Sequence, residues 1–154
     1  MNEGSKMEYR ERKLIEEYWK ANWKPKGASI VYEVPMVSRS RLRVQGARRL
    51  DALIFFPGLP RKLDWRGVEK TGLTNKKAIL VQGKLGRLGM SLMGQTLFSR
   101  MLMKKMFWER KWEPKLIHCV ALCEREDRLL GTFMRDFGVD VVIRAANGDF
   151  RVAN

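Results

Sequence analysis

Hydrophobic residues recur along the chain with two different periods, which separate predicted helices from predicted strands. Residues 4–24 carry apolar side chains at helical spacing. The members of that apolar face are Met7, Leu14, Ile15, Tyr18 and Trp19. Glu11 falls near the middle of the same face, so its carboxylate is expected to need a partner. The sequence Lys-Pro-Lys-Gly at 24–27 predicts the end of this helix.

The pattern in the remainder of the chain predicts five strands and two further helices. Runs rich in β-branched and aromatic residues predict strands over 28–37, 47–56, 77–84, 115–122 and 139–144. Helices are predicted over 88–108 and 124–137, and the polar stretch 57–75 predicts a long loop. The pair Asn147-Gly148 indicates a short hairpin in the tail. The order αβββαβαβ favours a three-layer α/β domain over 1–154, with a central mixed sheet flanked by helices.

The net charge of the chain indicates the class of partner that it binds. The 154 residues carry a formal net charge of +14, spread over the whole chain. One dense basic segment contains Arg39, Arg41, Arg43, Arg48 and Arg49. Because neutralised phosphates release counterions, this charge favours nucleic-acid binding, and a solubilising surface without a ligand is the alternative. No apolar run is long enough for a membrane span and no signal region opens the chain, so we expect a cytoplasmic protein without a membrane partner.

The cysteines, the histidine and two of the tryptophans do not indicate a metal, disulfide or histidine-based site. Cys119 and Cys123 are too few for a disulfide framework or a four-ligand zinc site, and they are expected to be buried thiols. The single histidine, His118, lies in an apolar strand and is expected to be a core residue. Trp108 and Trp112 are expected to pack at a helix end, with base stacking as the alternative.

Three polar residues interrupt strands that are otherwise apolar. Asp51 lies within the second predicted strand, and Gln82 and Lys84 end the third on one side of it. A buried carboxylate, amide and ammonium cost several kcal/mol unless they are paired or hold a metal. Such a break in the local pattern is typical of a functional site.

The order of these residues resembles the restriction-endonuclease-like superfamily, the PD-(D/E)xK nucleases. Asp51 within Arg-Leu-Asp-Ala is similar to the second-strand motif, and Gln82-x-Lys84 to the third-strand motif with Gln in place of the usual acid. Glu11, followed by Leu14 and Ile15, is similar to the first helix of archaeal Holliday-junction resolvases, in which a Glu points into the site. Gly94-Gln95 resembles a glutamine often found in the helix after the lysine strand. The similarity spans residues 9–144.

The resemblance implies an endonuclease that hydrolyses DNA, including structured or branched DNA, with Mg²⁺ or Mn²⁺. Asp51, Gln82 and Glu11 would hold the metal, and Lys84 would orient the attacking water or neutralise transition-state charge. The arginines of 39–49 would bind the phosphate backbone. Relatives of the resolvase kind are often dimers, so a homodimer is among the expected states.

Two other interpretations stay open. Gln82 removes one negative charge from the motif, which favours a catalytically inactive nuclease fold that binds nucleic acid without cutting it. A basic module for an acidic protein partner is the third interpretation, and it predicts little affinity for DNA even at low salt.

Overall fold

The computed structural model describes residues 3–36 and 49–153, with side chains described from Tyr9 onward. These ranges contain four α-helices: α1 (Glu3–Asn22), α2 (Trp65–Thr71), α3 (Met90–Glu109) and α4 (Arg128–Asp136). A short 3-10 helix, Lys24–Lys26, follows α1 and ends at Gly27 in the left-handed conformation. The strands are β1 (Ser29–Pro35), β2 (Arg49–Phe56), β3 (Lys77–Gly83), β4 (Lys115–Cys123), β5 (Asp140–Arg144) and β6 (Phe150–Val152).

The six strands form one mixed sheet in the order β1-β2-β3-β4-β5-β6. The first three strands pair antiparallel, β3 to β4 and β4 to β5 pair parallel, and β6 returns antiparallel to β5. Each parallel connection passes through a helix, as a parallel crossover requires. The structure therefore confirms the predicted three-layer α/β architecture with a central mixed sheet.

Two hydrophobic clusters, one on each face of the sheet, hold the layers together. On one face the buried side of α1, including Leu14, Ile15 and Trp19, packs against Ile54 and Val81 of the sheet. On the other face the α2, α3 and α4 helices contribute buried residues to the larger cluster. The predicted apolar stripe of the first helix is thus confirmed from Leu14 to Trp19.

Both β1 and β2 change the face that their side chains cover at one shared position. Glu33 has a φ of 53°, and the β1–β2 ladder omits the Glu33/Asp51 pair while it keeps the pairs on either side. Val34 and Leu50 consequently pack on the α3 face, although strict alternation would place them on the α1 face. Asp51 therefore lies where the regular β1–β2 ladder is interrupted.

Two sequence predictions change or gain detail. The stretch 57–75, expected to be a loop, contains the two-turn helix α2, of which Val68 is the buried residue. A seven-residue helix with Gly67 in its middle has little intrinsic helical propensity, so packing of Val68 stabilises it. The hairpin around Asn147-Gly148 is confirmed by the β5–β6 pairing. Among the described residues, no helix combines the length and apolarity that crossing a membrane requires.

Candidate functional site

Asp51 and Gln82 contact each other just beyond the last residue pair of the β2–β3 ladder. The amide of Gln82 satisfies both of its neighbours when Nε2 donates to Asp51 Oδ2 at 2.7 Å and Oε1 accepts from Ser99 Oγ at 2.6 Å. The backbone N–H of Gly83 donates to the same Asp51 Oδ2 at 2.9 Å. Gln82 and Ser99 are buried, and Asp51 is half-buried. Two donors thus converge on one carboxylate oxygen of Asp51.

The sheet register brings these groups together. The β2–β3 ladder pairs Ala52 with Val81 as its last described pair, so Asp51 and Gln82 occupy the next position beyond it. Gln82 faces α3, from which Ser99 reaches it. The sequence prediction that a carboxylate and an amide from neighbouring strands adjoin is therefore correct in geometry.

Glu11 belongs to α1 and lies on the α1 face of the sheet, near Asp51. Both line a small cavity of about 50 Å³, the α1-side cavity, together with Arg12, Ile15, Tyr32 and Glu33. Gly83 lets α1 come this close, because a Cβ there would lie 2.9 Å from Ile15 Cγ1. The cavity exceeds the roughly 30 Å³ that one water occupies in the liquid. The inward orientation predicted for Glu11 fits this placement.

Lys84 follows β3 directly and is half-buried. Its backbone N–H donates to Leu122 O at 2.9 Å, which continues the parallel pairing with β4 by one residue. Lys84 is not among the described residues that line the two cavities at Asp51. The structure therefore brings Glu11, Asp51 and Gln82 together and leaves Lys84 beside this group, two residues along the chain from Gln82.

A wider cavity of about 460 Å³, the α3-side cavity, opens on the other face of Asp51. Its lining consists of Met36, Arg49, Asp51, Gln82, Gly94, Gln95, Phe98, Ser99 and Leu102. Gln95, which the resemblance singled out, is exposed here, as is Phe98 with 56% of its surface accessible. Asp51 thus borders cavities on both faces of the sheet.

The basic segment predicted to bind phosphates is described only at its end. Arg39, Arg41, Arg43 and Arg48 lie outside the described residues. Arg49 is the first residue of β2, is exposed, and lines the α3-side cavity with Asp51.

The donor groups at Asp51 fit a hard divalent cation in part. Mg²⁺ in proteins is commonly held by one or two carboxylates and keeps several waters. Glu11 and Asp51, facing one small cavity, provide such a pair. The Oε1 atom of Gln82 faces Ser99, so its predicted role as a ligand requires the amide to rotate. The described residues contain no group of three or more His, Cys, Asp or Glu side chains suited to a metal.

Two residues at the Asp51 site were not predicted from the sequence. Ser99, on α3, fixes the Gln82 amide, and its position four residues after Gln95 was the available signal. Glu33 lines the α1-side cavity opposite Asp51. The strand pattern alone does not identify Glu33, because only the β1–β2 register places it beside Asp51.

Other reactive side chains lie elsewhere. His118 is exposed and not in the core as predicted: its Nδ1 lies 2.7 Å from Asp140 Oδ2, since β4 and β5 present the two side chains at the sheet surface. Cys119 and Cys123 are buried and unpaired, as predicted, and burial raises the pKa of each thiol to about 11. Such thiols are poor nucleophiles at neutral pH.

The two tryptophans of 108–112 differ. Trp112 packs against Trp65, with ring centroids 5.8 Å apart, as the helix-end prediction requires. Trp108, with 79% of its surface accessible, does not pack as predicted, because it lies on the outer side of α3.

The resemblance to PD-(D/E)xK nucleases rests on residue types and strand order. Asp51 on the second strand, Gln82 at the end of the third and Glu11 on the first helix occupy the expected elements. Comparison of the chain with protein-family models, curated proteins and solved structures finds no match in any of the three. Membership of that superfamily therefore stays a prediction.

Proposed function

We propose that this protein is a divalent-metal-dependent endonuclease that hydrolyses phosphodiester bonds in DNA. One observation carries the proposal: Asp51, whose carboxylate is held by Gln82 and Gly83 at the strand ends, lines one small cavity together with Glu11. Two acidic residues in the lining of one cavity are the ligand types that suit a hard cation next to a bound phosphate.

The protein groups have separable roles in this proposal. Mg²⁺ or Mn²⁺, when bound by Asp51 and Glu11, supplies Lewis-acid polarisation of the phosphate and lowers the pKa of a water. The Gly83 N–H and the Gln82 amide orient the Asp51 carboxylate, and Ser99 orients that amide. Lys84 lies outside the two cavity linings at Asp51, so its ammonium is proposed to reach the bound phosphate from beside them and to stabilise the charge that develops on the phosphoryl oxygens. Arg49 positions the neighbouring backbone by pairing with a phosphate.

DNA is the proposed substrate because of the charge of the whole chain. A net charge of +14 attracts a polyanion, and the part of this charge at Arg49 and Arg12 borders the cavities at Asp51. Binding of this kind is independent of sequence and weakens as salt rises. It is equally expected of a protein that binds DNA without cutting it.

The second candidate function is that of a non-cutting DNA-binding protein. The observation that favours it is the hydrogen bond from Gln82 Nε2 to Asp51, because an amide donor occupies the place where an acid would add charge to a metal site. The two functions share their affinity for DNA and differ in hydrolysis alone.

Cleavage of supercoiled plasmid and of branched DNA, each with Mg²⁺ or Mn²⁺, tests the proposal. We expect nicking that EDTA abolishes and that Asp51→Asn and Lys84→Ala each reduce by at least about 100-fold, in line with loss of a charge-stabilising group. Asp136→Asn and Lys104→Ala, which alter exposed residues of α4 and α3, are the matched controls and should cleave like the wild type. Cleavage that survives Asp51→Asn would assign the activity to a contaminant or another site.

A further inference from the structure

A large concave site adjoins the Asp51 group, and we name it the basic cavity. It encloses about 640 Å³ between α1, β1, the start of β2, the segment before α2, α2 itself and the residue after α3. Its cations are Arg12, Arg49, Lys62, Arg66 and Arg110, and its acids are Glu33, Asp64 and Glu69. The excess of positive charge and the volume suit a ligand of the size of a nucleotide that carries phosphate.

One wall of the basic cavity is aromatic and held in place by several contacts. Trp65 is half-buried and packs against Trp112. The Arg110 guanidinium lies 5.6 Å from the Trp65 ring centre and 5.2 Å from that of Trp112, and it donates to Glu69 at 2.8 Å. These contacts fix Trp65 before any ligand binds, which lowers the entropy lost on binding.

The other cations of the basic cavity differ in the contacts that they make within the protein. Arg12 lies over the Tyr32 ring at 4.3 Å, and Lys62 pairs with Glu16 at 2.6 Å. Arg66 and Arg49 are exposed, and within the described ranges neither forms an ion pair. These two guanidinium groups are therefore the ones ready to exchange water for phosphate oxygens.

The basic cavity shares lining residues with the two cavities at Asp51. Arg49 lines both the basic cavity and the α3-side cavity, and Arg12 lines both the basic cavity and the α1-side cavity. Each of the two larger cavities has an aromatic residue in its lining, Trp65 in the basic cavity and Phe98 in the α3-side cavity. Both aromatic side chains offer a surface for stacking.

Aromatic walls discriminate between paired and unpaired nucleic acid. A base within a duplex is stacked between its neighbours, so its face is unavailable to a side chain, whereas an unpaired base can stack on an aromatic ring. We infer that the basic cavity binds one unpaired nucleotide, with its base against Trp65 and a flanking phosphate on Arg66 or Arg49. Resting on the proposed function, this inference names single-stranded or locally unpaired DNA as the substrate class.

Binding in the absence of a divalent metal separates this inference from hydrolysis. Fluorescence anisotropy of labelled oligothymidine and of a duplex of equal length is measured with the full chain in EDTA, over a range of NaCl concentrations. The single strand is expected to bind at least about tenfold more tightly than the duplex, as stacking on one or two aromatic residues allows. Equal affinity for both forms, or tighter binding of the duplex, overturns the inference.

Variants locate the site. Arg66→Ala, on an exposed side chain, and Trp65→Phe, which keeps an aromatic ring in the core, should each weaken single-strand binding about three- to tenfold and change duplex binding less. Trp108→Ala removes an exposed tryptophan outside the cavity and serves as the control. If neither cavity variant changes single-strand affinity while folding is intact by circular dichroism, the cavity is not the site. Single-strand binding that persists in a protein inactive with Mg²⁺ retains this inference and removes the nuclease proposal alone.

Discussion

With its amide assigned so that both neighbours are satisfied, Gln82 donates an N–H to Asp51 at 2.7 Å, across the first position beyond the β2–β3 ladder. An acid at position 82 would repel Asp51 at this distance unless a cation lay between them. Gln82 lets the pair exist without a metal, and it lowers the negative charge that attracts one. The identity of residue 82 therefore sets the balance between a stable fold and metal affinity.

Gln82→Glu measures this balance. Without metal, the second carboxylate should lower the free energy of unfolding by at least about 1.4 kcal/mol, the equivalent of one pKa unit of repulsion. Added Mg²⁺ should restore the unfolding temperature, because the cation binds the folded state alone. Thermal unfolding with and without Mg²⁺ checks this. Gln95→Glu, on an exposed side chain of the α3-side cavity that Gln82 also lines, is the control and should show a much smaller Mg²⁺ response.

Gly83→Ala should drive α1 away from β3. The added Cβ would stand 2.9 Å from Cγ1 and 3.1 Å from Cδ1 of the buried Ile15, so we expect a loss of about 1–3 kcal/mol in urea unfolding. Ile15→Val in the same chain should recover part of the loss, since it removes the Cδ1 contact. Gly131→Ala in α4 meets no atom within 4 Å and should be neutral or stabilising. An unchanged stability of Gly83→Ala would show that α1 does not pack this closely.

Hydrophobic periodicity was sufficient to predict the central mixed sheet and the helices α1, α3 and α4. The residues of β2 and β3 are so uniformly apolar that Asp51 and Gln82 stood out as exceptions. Helix α2 was missed because Val68 is its buried residue and gives no period. His118 was misplaced because β4 is half-exposed at its start, although its sequence reads as continuously apolar.

The thiols give a prediction that depends on pH. Burial raises the pKa of Cys119 and of Cys123 from 9.0 to about 11, so the folded state holds both protons where an unfolded chain loses them. Their contribution to stability is complete below pH 9 and is lost as pH rises towards 11. Urea unfolding of the wild type should weaken over this range more than that of the Cys119→Ala, Cys123→Ala double variant. Identical pH profiles would contradict the burial of the thiols.

An ion pair ties α1 to the segment before α2. Glu16 accepts from Lys62 at 2.6 Å and from Lys20 at 3.1 Å, and the bond to Lys62 is the main cause that lowers the pKa of Glu16 below 4.5. The contribution of this ion pair to the free energy of unfolding is present above pH 4.5, and it is lost as pH falls through the lowered pKa of Glu16. Glu16→Gln should therefore cost about 0.5–1 kcal/mol at pH 7 and little at pH 3. Glu113→Gln, on an exposed side chain, should cost little at either pH, and an equal cost for Glu16→Gln at both pH values would argue against the pair.

The site was only partly predictable for a physical reason. Spacing along strands gives the face of Gln82, and helical spacing gives that of Glu11, so both were found. The contributions of Ser99 and Glu33 depend on which segments pack side by side, which periodicity does not encode. Likewise, Lys84 is close to Gln82 in sequence, yet the cavity linings at Asp51 are formed by other residues.

The most direct test of the account is where a divalent cation binds. A crystal of the full chain soaked in Mn²⁺ should show an anomalous peak in the α1-side cavity, within about 2.0–2.3 Å of a carboxylate oxygen of Asp51 and near Glu11. The same soak of Asp51→Asn should lose that peak. A wild-type crystal with no peak at Asp51, and with the Gln82 hydrogen bond retained at millimolar Mn²⁺, would contradict metal-dependent hydrolysis at this site.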